Sequence, residues 1–311
     1  MKPVGILGVG RFLPPTILTN QDIVNKGLDT SDEWILERTG IRERRVAGKI
    51  TSSDMAYEAA KDALSDAGLT AHDIDLIIVA TTTPDYPQFP STACLVQKRL
   101  GMRNVGAFDL SAACSGFNFA LTTGVQYVRS GAAKRVLVVA SDCLTNYVDW
   151  TDRSICILFG DAAGAVVLGE VENGYGELAS SMYSDGGHAD ILKNNGPFIY
   201  MDGRAVFKVA NHAIIPSVQE TLEKAKLSVS DLNYFISHQA NIRIIRYSQE
   251  KLGLSDAQVL TNIETCGNTS AASIPLVMAE NKQRFKKGDT LALVGFGAGF
   301  TWGVTILRWS K

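Results

Sequence analysis

The chain has 311 residues, 46% of them hydrophobic and 20% charged, enough apolar material for a large core or two fused ones. Its 30 Lys and Arg against 32 Asp and Glu leave a net charge of −2, which excludes the strongly basic balance of a nucleic-acid binder. With 5 Cys at no framework spacing and only 4 His, it has neither a disulfide scaffold nor a zinc pattern, and it reads as a protein of the reducing cytoplasm.

MKPVGILGVG runs straight into RFLPP with no cleavage site to mark a signal peptide, and the GVG at 8–10 lacks the next glycine of a dinucleotide fingerprint. AYEAAKDALSDA (56–67) predicts a helix and IDLIIVA (74–80) a buried strand; this longest apolar run is too short to span a bilayer. A helix ending in VQKRLGM (96–102) follows, and then DLSAACSGF around Cys114. Cys114 opens the apolar stretch FNFALTTGVQYV, a helix starting near Ser115, where unpaired N–H groups and the helix dipole favour thiolate. Cys94, Cys143, Cys156 and Cys266 read as packing residues. KRVLVVASD (134–142) and GAVVLGE (164–170) predict two more strands.

Similar elements then recur. IIPSVQETLEKA (214–225) answers the first helix, and AKLSVSDLNYFISH (225–238) answers AGLTAHDIDLIIVA (67–80) and ends in His238. SQEKLGL (248–254) answers VQKRLGM, GDTLALVGF (288–296) answers KRVLVVASD, and GVTILRW (303–309) answers GAVVLGE. Between them, CGNTSAAS sets Asn268 in a turn before the helical SIPLVMA. Alone, a strand-end His such as His238 is more often a satisfied structural residue than a base, and Asn268 reads equally as a helix N-cap. Alternating helices and continuous apolar strands imply sheets covered on both faces, so two copies make a pseudo-symmetric, layered α/β/α/β/α molecule. The expected halves are 1–170, with the nucleophilic Cys, and 171–311, with the His and Asn. A shift of 154 residues lays Cys114 on Asn268, and the pseudo-symmetry brings Cys114, His238 and Asn268 towards one point.

Eight ordered motifs carry a resemblance over about Gly5 to Trp309: DTSDEWILERTGIRERR, FPSTACLVQKRLG, DLSAACSGF, DRSICILFGDAAGAVVL, MDGRAVFKVA, SHQANIRII, GNTSAASIP and FGAGFTWG. In this order they resemble the β-ketoacyl-ACP synthase III family, thiolase-fold enzymes that initiate fatty-acid synthesis. The resemblance implies a decarboxylative Claisen condensation of a short acyl-CoA primer with malonyl-acyl carrier protein (ACP), through an acyl group on Cys114. His238 Nε2 and the Asn268 amide would stabilise the enolate, and backbone N–H groups of Cys114 and the Gly297-Ala298-Gly299 turn the acyl carbonyl. Ala298 stands where the family usually has Gly, a departure that threatens the pocket's width and its φ > 0 conformations.

By the same resemblance, Trp34 and Arg153 sandwich the CoA adenine, Arg38 lies near the phosphates and Asn241 near the pantetheine. Phe89 bounds the primer pocket across a homodimer interface, and Lys208, Arg243 and Lys251 face the acidic carrier, with Glu250 where another cation is common. No cofactor or membrane partner is implied, the CoA thioester being a substrate. GFGAGF lacks the second Cys of degradative thiolases, and Asn268 stands where elongating synthases have a second His. The rival reading is a related acyltransferase or ketosynthase of a secondary-metabolite pathway.

Overall fold

Strands whose residues are apolar on both faces cannot leave either face in water, and here they form the centres of two sheets packed between helices. The computed structural model describes residues 2–311. The first sheet contains β1 (Val4–Phe12), β2 (Leu76–Ala80), β3 (Gly106–Leu110), β4 (Val136–Asp142) and β5 (Ala162–Glu170), in the order β1-β5-β4-β2-β3. The second contains β6 (Gly176–Ser184), β7 (Tyr234–Ser237), β8 (Thr290–Gly297) and β9 (Thr301–Arg308), in the order β7-β8-β9-β6. In both, a parallel pair (β2 with β4, β7 with β8) adjoins an antiparallel one (β4 with β5, β8 with β9).

Helices α1 (Ser52–Ala67) and α2 (Thr92–Arg99) cover the outer face of the first sheet, and α3 (Gly116–Ser130) lies between the sheets. On the far side α4 (Gly203–Lys224) and α5 (Ile242–Leu252) cover the second sheet, while α6 (Ser273–Asn281) joins α3 in the middle. The result is the expected α/β/α/β/α layering. Each helix suits its layer. α1 begins at a Thr51 capping box with Asp54 and turns Ala56, Ala59, Ala60 and Ala63 inward, small enough for close approach to β1. α6 is buried from Ser273 to Ala279, apolar all round as a helix between two sheets must be.

The 154-residue shift needs correction. Ala113 (φ +47°) and Ser270 (φ +53°) each open a short 3₁₀ turn that leads directly into α3 and α6. These residues lie 157 positions apart, so Cys114 is level with Ala271, and Asn268 precedes its turn, level with Ser111. Left-handed φ in non-glycine residues costs on the order of 1–2 kcal/mol each, and here both strained positions flank the same cavity.

Candidate active site

Cys114 sits in the turn after β3, buried apart from 8% of its surface. His238 extends β7, its N–H donating to Val294 O at 2.7 Å, and is 2% exposed. The Asn268 backbone is held on both sides: its N–H donates to Leu158 O at 2.9 Å, and its carbonyl accepts from Gly160 N–H at 3.0 Å. All three side chains line one cavity of about 320 Å³, so the structure brings the predicted trio together.

Burial pushes the Cys114 thiol up to about 12, opposed by the Ser270 hydroxyl 3.4 Å from its sulfur. Desolvation thus opposes the thiolate that the helix end favours. Burial also drives His238 down to about 3, so its imidazole is neutral throughout the physiological range. The Ser273 hydroxyl lies 2.8 Å from His238 Nδ1 and 2.8 Å from Ser270 O, with one proton for two neighbours. Given to Ser270 O, it leaves Nδ1 protonated and Nε2 a lone pair; given to Nδ1, it fixes Nε2 as a donor into the cavity.

Asn268 does not cap α6, whose N-cap position is Ala272. Instead its Oδ1 accepts from Ser270 N–H at 2.9 Å and closes the turn, which sets the direction of its amide. Among the described residues Nδ2 has no hydrogen-bond partner. At the end of β8, a Cβ on Gly297 would lie 2.6 Å from Cys114 N and 2.9 Å from its Cβ, so only glycine permits this approach. Ala298 lines the cavity with φ outside the left-handed region, and its methyl introduces no backbone strain.

The Arg153 guanidinium lies 4.9 Å from the centroid of Trp34, and that of Arg38 lies 5.7 Å away. At 4.9 Å it covers the indole directly, so a base can enter between them only if Arg153 swings out. Its tie to the Asp29 carboxylate, at 3.2 Å between exposed groups, is worth at most about 1 kcal/mol. Asn241 caps α5 by accepting from Arg243 N–H at 2.9 Å, donates to Arg38 O at 3.0 Å, and lines the cavity. Phe89 is 78% exposed and does not line the cavity of its own chain. Lys208, Arg243 and Lys251 are exposed, and Lys251 approaches Glu250 at 3.8 Å.

Sequence reasoning missed Ser270, Thr82 and Thr83, and the hairpin of Leu192–Asn195 with Phe198–Met201 whose Leu192, Ile199 and Met201 close the cavity. The signal for the first was present, inside GNTSAAS; the hairpin strands are too short for a periodicity to register.

Two sheets stacked across a shared helical layer, with a thiol at one central turn and a His and Asn at the other half's loops, define an acyl-transferring synthase of the thiolase fold. Family descriptions for 3-oxoacyl-[acyl-carrier-protein (ACP)] synthase III match residues 108–186, and those for its C-terminal part residues 222–309. Beta-ketoacyl-[acyl-carrier-protein] synthase III of Geobacillus kaustophilus is 50% identical over 311 residues, 99% of each chain. The crystal structure of 3-oxoacyl-[acyl-carrier-protein] synthase III from Aquifex aeolicus is 47% identical and superposes with a TM-score of 0.96, covering 98% of this chain and 100% of that one. The priming beta-ketosynthase of the R1128 polyketide biosynthetic pathway is 34% identical, with a TM-score of 0.94 over 100% of this chain and 97% of its own. The chain belongs to the 3-oxoacyl-[acyl-carrier-protein] synthase III family.

Proposed function

We infer that this chain condenses a short acyl-CoA primer with malonyl-ACP, releasing CO₂ and giving a 3-oxoacyl-ACP that starts fatty-acid synthesis. The observation that carries this reading is the convergence of Cys114, His238 and Asn268 on one cavity in a chain matched to the family from end to end. Cys114 attacks the primer thioester and holds the acyl group, and CoA departs. Malonyl-ACP then loses CO₂, and the enolate oxygen takes hydrogen bonds from Asn268 Nδ2 and from His238 Nε2 in the tautomer whose Nδ1 accepts from the Ser273 hydroxyl. One such donor is worth about 3–4 kcal/mol. The carbanion attacks the acyl carbonyl, held by the N–H groups of Cys114 and the 297–299 turn, and the thiolate is released.

Trp34, Arg38, Arg153 and Asn241 are proposed to hold the CoA, and Lys208, Arg243 and Lys251 the carrier. No cofactor is needed, because the thioester supplies the activated acyl group. Residues 1–170 and 171–311 serve as the nucleophile and decarboxylation halves in the cytoplasm. Carboxyl-labelled malonyl-ACP should release label as CO₂ only when acetyl-CoA is added. Loading of acetyl onto the protein with no CO₂ at any carrier concentration would favour the rival, an acyl transferase that makes no carbon–carbon bond.

Phe89 and the half-exposed Tyr86 leave the 84–92 loop more apolar than a monomer's surface favours, and a two-fold dimer that buries it is proposed. Sedimentation at micromolar concentration should give a dimer, and a monomer there contradicts the proposal.

A further inference from the structure

One buried hydroxyl beside the nucleophile has no part in the steps above. Ser270 is buried, and its Oγ donates to the Cys114 sulfur at 3.4 Å; among the described residues that sulfur is its only hydrogen-bond partner. A neutral thiol is a weak acceptor, so this donor is poorly satisfied at rest, whereas a thiolate takes a charge-assisted bond. The backbone that carries the hydroxyl is strained as well, at φ +53°, and is held from both sides. Ser270 N–H donates to Asn268 Oδ1 at 2.9 Å, and its carbonyl accepts from the Ser273 hydroxyl at 2.8 Å. Glycine takes such a φ without strain. A serine at this position, with its hydroxyl against sulfur, carries a cost that a use for the hydroxyl explains.

We propose that the Ser270 hydroxyl is a hydrogen-bond donor to the Cys114 thiolate, both when the thiol ionises for acyl loading and when condensation expels the sulfur again. On loading, the S–H bond breaks and its proton leaves to solvent. The sulfur, stabilised by Ser270, attacks the acyl carbonyl with its electron pair. The C–S bond to CoA then breaks, and the CoA sulfur departs with that bond's pair and takes a proton from water. On condensation the new C–C bond forms and the Cys114 C–S bond breaks, its electron pair returning to a sulfur that already has a donor in place. In the acyl-enzyme between these steps, the thioester sulfur is again a weak acceptor. The bond is therefore strongest in the charged states that flank the thioester, which is the differential that lowers a barrier. This role rests on the acyl loading at Cys114 proposed above.

The charged neighbours of the sulfur do not help it ionise. Burial raises the thiol to about 12, and the carboxylate of Asp142 raises it further, with no cation to offset them. Asp142, at the end of β4, is itself buried, and its Oδ1 accepts from Thr82 N–H at 2.7 Å and from the hydroxyls of Thr82, Thr81 and Thr83 at 3.0, 3.2 and 3.3 Å. His238 shares the cavity, but burial drives it down to about 3 and it carries no positive charge. Strand β8 and the Gly297-Ala298-Gly299 turn, packed against Cys114, bring no titratable side chain. Against burial and Asp142, the bond from Ser270 is the largest influence that lowers the thiol.

The test compares wild type, S270A and S270G. Alkylation of Cys114 by iodoacetamide is followed against pH on its tryptic peptide, and single-turnover loading from acetyl-CoA by intact mass. S270A removes the hydroxyl alone. S270G removes it and also relaxes the left-handed turn, so it should melt within a few degrees of wild type and serve in place of S270A should that variant fail to fold. Each variant should alkylate and load about tenfold more slowly at a given pH, so that both rate curves move up by about one pH unit. That factor is the loss of a hydrogen bond to a charged group, tempered by the greater nucleophilicity of a more basic thiolate. The acetyl-CoA concentration for half-maximal loading should not change, because the partner of the hydroxyl is the sulfur. A residue that merely shaped the turn would alter loading and leave the iodoacetamide curve in place. Folded variants that alkylate along the wild-type curve therefore overturn the proposal, whether or not their loading is slowed. A wild type that alkylates but takes up no acetyl overturns instead the function proposed above, and the alkylation curves still decide whether Ser270 is the donor.

Discussion

Cys114→Ser is expected to take up no acyl group from acyl-CoA, with condensation falling on the order of 10⁴-fold or more, as for other lost nucleophiles. The substitution exchanges sulfur for a smaller oxygen in a turn fixed by Gly297 at van der Waals limits, so the fold and the cavity survive it. Its effect is chemical. Burial already pushes the thiol to about 12, and a hydroxyl, far less acidic, meets the same desolvation without sulfur's nucleophilicity. Intact-mass measurement after incubation with acetyl-CoA should show wild type fully shifted by one acetyl and the variant unshifted; a complete adduct on the variant would remove Cys114 from the mechanism.

Asn268→Ala should separate the half-reactions. Its Nδ2 has no hydrogen-bond partner among the described residues, and its side chain shares the cavity with Cys114, the arrangement of a donor waiting for an oxygen that appears only on decarboxylation. Loss of one such donor costs roughly a hundredfold or more, so malonyl decarboxylation should fall by that factor while acetyl uptake at Cys114 stays within a few-fold of wild type. The competing effect is structural, because Oδ1 also closes the turn that carries Ser270. A turn bond of that kind is worth about 1 kcal/mol and supports both half-reactions alike. Acyl uptake by mass and labelled CO₂ release on the same folded variant distinguish the two: equal losses in both assays would make Asn268 a turn residue only.

Much of this was legible in the sequence because the chain states its plan twice. Continuous apolar strands such as LIIVA (76–80) and VLVVA (136–140) separate buried sheet from amphipathic helix on composition alone. The matching pairs of elements then fixed the layering, and His238 and Asn268, each ambiguous alone, gained meaning from their common destination. The three-residue error in register came from Ala113 and Ser270. Left-handed φ is signalled by Gly or Asn, and neither residue announces the turn it makes. Electrostatics were less legible still. A helix-end cysteine reads as acidic from local geometry, whereas its pKa follows from layers folded over it from both halves. Asp142 gave no signal at all: its threonine partners lie about 60 residues away at the end of a different strand, and only sheet pairing brings them together.

The central claim is that the carbon–carbon bond forms from an acyl group held on Cys114, and one experiment addresses it without other assumptions. Protein carrying labelled acetyl, freed of CoA by gel filtration, is mixed with malonyl-ACP, and the label is followed by mass. The account predicts that the acetyl leaves the protein and appears in 3-oxobutanoyl-ACP, with one CO₂ released for each label transferred. Label retained on the protein, or recovered as acetate while CO₂ is released, would contradict it.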